Sequence, residues 1–122
     1  MCLRVRKKNW LVAVFTKPMV AKKDIECYKI YNIREGNKLQ SFVQGVIYDR
    51  DKPLPKVDLG AERYVKKISI HEGYHSYVNE PEGHRGVFKC IIPKGSKYYL
   101  GDYNSHNDVY ASNQLIIVEQ IR

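Results

Sequence analysis

No acidic residue occurs in the first 23 positions of this 122-residue chain. Seven basic residues do: Arg4, Arg6, Lys7, Lys8, Lys17, Lys22 and Lys23. Residues 24–122 carry the other 14 basic side chains against all 13 acids, so the formal charge of +8 is almost wholly local. A uniformly basic protein is thereby excluded. What is left is a nearly neutral domain with a positive N-terminal segment, whose concentrated field is able to hold an anion.

Cysteine is scarce. Cys2, Cys27 and Cys90 make an odd number with no close spacing, which excludes a disulfide framework, a zinc knuckle and a dithiol redox motif. Cys27 and Cys90 each lie in an apolar run and read as small buried hydrophobes, a usage that suits a reducing cytosol. Long hydrophobic runs are missing too. The longest, Trp10 to Phe15, has six residues, far short of the ~20 that a spanning helix needs. Lys17-Pro18 stands where a signal peptide would have a small-residue cleavage site. The expectation is a cytoplasmic protein with no membrane partner.

Catalytic signatures are also lacking: there is no nucleophile elbow, phosphate-cradling glycine loop or dinucleotide fingerprint. Glu80 and Glu82 flank Pro81 in a polar loop and read as solvent-facing. His71 and His75, with Glu72 between them, have the spacing of a zinc-protease helix. Gly73 and Tyr74 interrupt that helix, and no third ligand is evident. No catalytic residue, metal or cofactor is therefore assigned.

Tyrosine is abundant: ten, against three Phe and one Trp. Such rings suit a one-sided sheet, or a stacking surface for bases or sugars. Strand patterning follows the same lead. Ile25 to Ile33 alternates with period two, Val87 to Ile92 and Lys97 to Leu100 flank a Pro93–Ser96 turn, and Leu115 to Val118 reads as a central, doubly covered strand. Leu39 to Tyr48 reads as a glycine-bent strand and Asp49 to Leu59 as a loop with Pro53 and Pro55. Gly101 to Asp108 reads as a polar loop. Ala61 to Ile70 is the one plausible helix, with Tyr64, Val65 and Ile68 on one face. The expected fold is α+β and β-rich, one domain over 1–122. It has five to seven mostly antiparallel strands, one or two short helices, and residues 1–9 as a basic arm or edge strand.

Three stretches belong together as a resemblance. They are Cys27-Tyr-Lys-Ile30, Glu72-Gly-Tyr-His-Ser-Tyr77, and Phe88 to Tyr99 with Tyr110 to Ile117. Together they resemble small proteins of gut bacteria and their phages that bring no established activity. Their order also resembles the ADP-ribosyltransferase core, with Lys29, Ser76 and Gln114 near the positions of that family's basic, serine and catalytic glutamate residues. Gln114 cannot stabilise a developing oxocarbenium charge as a carboxylate does, and Lys29 is not a diphosphate-clamping fork. The resemblance implies a nucleotide-type ligand held by Lys29, Tyr74, His75, Ser76, Tyr77, Lys94 and Gln114.

The basic start offers another site. Arg4, Arg6, Lys7 and Lys8 beside Trp10 pair cations with a ring, as on single-stranded nucleic acid. The expected function is a non-enzymatic binding protein of phage or mobile-element origin, engaging a nucleotide-type ligand, a nucleic acid or a host protein that handles them. Interference with host defence would fit that origin. Two alternatives stand beside it: a divergent ADP-ribosyltransferase-like enzyme, and a structural protein whose tyrosine-rich sheet forms a homo-oligomer.

Overall fold

Period-two alternation makes residues 25–34 a strand, and that strand organises the sheet around it. The computed structural model describes residues 3–6, 17–36, 38–41, 47–49, 54–63, 67–70, 72–83, 85–103 and 106–121. Among these it has twelve strands and no helix. In chain order they are β1 (Leu3–Arg6), β2 (Met19–Val20), β3 (Ile25–Arg34), β4 (Lys38–Ser41), β5 (Ile47–Asp49) and β6 (Ala61–Arg63), followed by β7 (Lys67–Ile70), β8 (Tyr74–Tyr77), β9 (Val87–Ile92), β10 (Lys97–Tyr103), β11 (His106–Ser112) and β12 (Ile116–Gln120).

The sheet runs β12-β9-β3-β8-β11-β10-β1-β7-β6, with β2 on β10 and the β4–β5 pair on β3. Every recorded pairing is antiparallel. Its two faces carry separate apolar clusters. Cys27 and Tyr31 of β3, Phe88, Cys90 and Ile92 of β9, and Tyr74 of β8 pack with Leu39 and Leu115 on one side. Ile70, Tyr99, Val109 and Ala111 form the other cluster.

The β-rich, antiparallel expectation holds, but several elements differ. Ala61–Arg63 and Lys67–Ile70 are the strands β6 and β7, in place of the expected helix. A ten-residue helix is marginal alone, and Lys67-Ile-Ser-Ile70 has a strand's period, so pairing with β1 wins. Gly101 to Asp108 is not one long loop: β10 continues to Tyr103 and β11 starts at His106, with a register irregularity between Gly101 and Tyr103. Leu39 to Tyr48 contributes two strands, with Leu39 opposite Tyr48. Strands of two to four residues account for the higher strand count, being too short to leave a periodic signal.

Position in the sheet differs as well. β12 ends the strand order and pairs with β9 among the described residues, with Ile116 51% and Val118 47% exposed. It is an edge and not a doubly covered strand. Leu3–Arg6 takes an interior place in the strand order, with β10 on one side and β7 on the other, in place of an arm or edge strand. The longest apolar run, residues 10–15, lies outside the described residues.

One glycine is required where β3 meets the loop before β9. Gly86 has φ +73, and a Cβ there would run into the Tyr31 carbonyl oxygen. The two backbones sit so close because the Tyr31 N–H donates to the Gly86 carbonyl at 2.9 Å.

Candidate functional site

Alternation along β3 puts Cys27, Lys29 and Tyr31 on one face, with Cys27 and Tyr31 in the larger apolar cluster and Lys29 half-buried between them. The neighbouring strand β9 supplies Phe88, Cys90 and Ile92 to the same face, in register opposite Lys29, Cys27 and Ile25. On the other side β8 supplies Tyr74 and Ser76, positioned by the Tyr28–Tyr77 pairing. An amine thus stands among rings and thiols, where an isolated charge is costly.

The Lys29 Nζ donates to the His75 carbonyl oxygen at 2.6 Å and lies 5.5 Å from the centre of the Tyr31 ring. Among the described residues no carboxylate pairs with it. The ion pair in the neighbourhood, Lys89 with Glu26 at 3.4 Å, belongs to the reverse face of β3 and β9. Burial drives the Lys29 amine down from 10.5 to about 8, opposed by the Cys90 and Cys27 thiols.

Two hydroxyls on the same face have unmet bonding capacity. The Ser76 and Tyr31 hydroxyls are buried and have no hydrogen-bond partner among the described residues. Burial pushes the Cys27 thiol up to about 11, against the pull of the Ser76 hydroxyl and the Lys29 charge. Ser76 thus lies towards that thiol without meeting it at full hydrogen-bond geometry. Burial, with Cys27 second, pushes Cys90 up to about 12. Burial likewise pushes the Tyr31 phenol upward.

Rings wall the face. Tyr31 meets Phe88 at 5.7 Å and Tyr48 at 6.4 Å, both edge-on, and Tyr48 lies 6.3 Å from Tyr74. The Tyr74 hydroxyl donates to the Pro55 carbonyl at 2.5 Å, where Leu54 and Val57 pack against the cluster. On the far side of Ser76, Tyr110 stands in register with it and packs edge-on against Tyr98 at 5.7 Å.

The residues expected to hold a ligand therefore divide. Lys29, Tyr74 and Ser76 share one face. His75 and Tyr77 alternate onto the reverse face, where His75 is 4% exposed. Its Nδ1 lies 3.3 Å from the Gly73 carbonyl and its Nε2 3.2 Å from that of Ile70. Burial, then the Lys29 charge, drives the imidazole down to about 4. Lys94 sits on the exposed β9–β10 turn, its backbone N–H donating to Asp24 Oδ1 at 2.9 Å. Gln114 lies beyond the end of β11, where the Ser96 hydroxyl donates to its Oε1 at 3.4 Å. The order Lys29, Ser76, Gln114 thus becomes two residues on adjacent strands and a third engaged elsewhere.

Sequence reading overlooked Cys27, Cys90, Tyr31 and Tyr48 as members of this site. The signal was present for the first and third: a single charge at every-second-residue spacing between Cys27 and Tyr31. Cross-strand neighbours such as Cys90 leave no local trace.

Of the basic segment, Arg4 stands in register with Asp102 of β10. Arg6 is in register with Lys67. Lys7, Lys8 and Trp10 lie outside the described residues, as does His71. Among the described residues no three metal-ligating side chains gather. No protein-family model matches the chain, and no curated protein or solved structure matches it.

Proposed function

We propose that this is a non-catalytic binding protein that takes a small anionic ligand of nucleotide type on the Lys29 face. One observation carries the reading: a half-buried ammonium whose recorded partner is a neutral carbonyl. Structural lysines in cores are paired with carboxylates, because an unpaired charge costs several kcal/mol. A phosphate would supply the missing charge. The unpartnered Ser76 and Tyr31 hydroxyls would donate to its oxygens, and the tyrosine rings would receive a base. An origin in a phage or mobile element, acting on host defence through such a ligand, is the biological setting proposed with it.

Thermal unfolding of the full chain with ATP, ADP, AMP, cyclic nucleotides and inorganic phosphate tests the reading. A ligand at a hundred times its Kd adds about 2.7 kcal/mol, a rise of several degrees in Tm. The rise should disappear in Lys29→Met. No shift with any of these ligands, or an undiminished shift in the variant, would refute it. A strong loss of binding with salt that tracks Arg4 and Arg6 would move the site to the basic segment.

A further inference from the structure

We propose that Cys27 and Cys90 close into a reversible cross-strand disulfide between β3 and β9, by exchange with a small-molecule disulfide such as oxidised glutathione. The inference is independent of the anion reading. Three observations carry it. The two residues are direct partners in a ladder that runs without a break from Ile25–Ile92 to Ile30–Val87. Both belong to one apolar cluster on one face, and neither is exposed to solvent. The sulfurs also sense each other: Cys27 raises the Cys90 thiol, second only to burial. The two cysteines lie far apart in the chain, so their spacing in sequence gives no sign of the pair.

Register sets the character of the bond. The Tyr31 N–H donates to the Gly86 carbonyl directly across from it. Hydrogen-bonded and non-hydrogen-bonded pairs alternate along an antiparallel ladder, so counting back by twos through Lys29–Phe88 makes Cys27–Cys90 a hydrogen-bonded pair. The Cα atoms of such a pair lie about 5.5 Å apart, within the span of a disulfide. Its Cβ atoms lie at the wide end of about 4.5–5.5 Å, whereas a disulfide draws them to about 3.8 Å. The ladder must therefore pinch by roughly 1 Å to close the bond. Strained disulfides are the ones that thiols reduce readily, so the pair suits a switch and not a permanent brace.

The step is balanced. One cysteine loses its proton, and its thiolate attacks a sulfur of glutathione disulfide. That S–S bond breaks and one glutathione leaves as a thiolate. The second cysteine, deprotonated in turn, attacks the protein sulfur of the mixed disulfide and expels the other glutathione. Two protein thiols are oxidised, one glutathione disulfide is reduced to two thiols, and the two released protons end on them. The buried sulfurs meet the oxidant only when the ladder opens, and reclosing in register brings them opposite one another.

The test is refolding of the full chain carrying Cys2→Ser from urea into buffers of oxidised or reduced glutathione. Acid quenching, alkylation in denaturant and peptide mass mapping then read the state of each thiol. A Cys27–Cys90 disulfide should be the main product in oxidised glutathione. It should raise Tm by several degrees and should revert when reduced glutathione is added in excess. Cys90→Ala should melt at one temperature in both buffers. Free thiols or glutathione adducts on the folded protein in the oxidised buffer would overturn the inference. So would a disulfide that lowers Tm or resists reduced glutathione. If Cys2→Ser does not fold, mapping of the wild-type chain separates a Cys27–Cys90 bond from any pairing with Cys2.

Discussion

Cys27 stands directly opposite Cys90 in the β3–β9 ladder, and both side chains are fully buried. Burial also holds both thiols in their protonated, unreactive form. In a Cys2→Ser background, alkylation by iodoacetamide at pH 8 should therefore follow global unfolding, with both cysteines reacting at one rate. Prompt labelling of either thiol in the folded protein would show that this face opens locally.

Replacing Lys29 with Met should stabilise the fold. The change removes a poorly compensated charge and keeps the volume of the stem, while losing one hydrogen bond worth about 1 kcal/mol. A net gain of roughly 1–2 kcal/mol, a few degrees in Tm, is expected in urea or thermal unfolding. A loss would mean that Lys29 is a structural donor. Anion binding, in turn, should weaken as pH rises through about 8, because only the ammonium attracts a phosphate.

His75 gives the fold an acid limit. Its imidazole is held at about 4, below the ordinary 6.5, so the unfolded chain binds the proton more readily. Stability from this group is fully present above pH 6.5 and is lost as pH falls towards 4. The full loss is on the order of 3 kcal/mol. Urea midpoints between pH 7 and 4 should fall accordingly, and His75→Gln should flatten the slope. An unchanged slope in that variant would place the acid sensitivity elsewhere.

Two glycine replacements should separate conformational cost from collision. Gly95 has φ +89 and open space around a new Cβ, so Gly95→Ala should cost about 1 kcal/mol. Gly86→Ala adds a collision with the Tyr31 backbone, which cannot swing aside as a side chain would. A cost of roughly 3 kcal/mol or more is expected, with insoluble expression as the extreme outcome. Equal urea midpoints for the two variants would contradict the close approach of these backbones.

Local chemistry made β3, β9 and the 93–96 turn legible in the sequence. Each is set by alternation or by Pro and Gly within a few residues, and Gly95 does adopt the left-handed backbone the turn requires. Residues 61–70 mislead because Tyr64, Val65 and Ile68 fit a helical stripe, while the partner that makes 67–70 a strand lies some 60 residues earlier, at Leu3–Arg6. Leu115 to Val118 misled because an apolar run looks the same at an edge as at a centre. Of the residues expected to hold a ligand, Lys29, Tyr74 and Ser76 share one face. His75 and Tyr77 were grouped with them by adjacency in sequence, whereas a strand sends neighbours to opposite faces.

The strand order has a consequence for synthesis. Leu3–Arg6 precedes the other described strands in the chain, yet its neighbours in the sheet are residues 67–70 and the strand containing Asp102. The 31–34 half of β3 pairs with β4 close by, while its 25–30 half waits for residues 87–92. Among the described strands no hairpin includes Leu3–Arg6, so its place in the sheet is filled only after residues 67–70 and Asp102 have emerged. Closing loops of that length before they yield contacts is slow, and refolding in the millisecond-to-second range is the kinetic signature of such wiring. During that wait the positive charge of the first strand keeps its open edge from recruiting other chains.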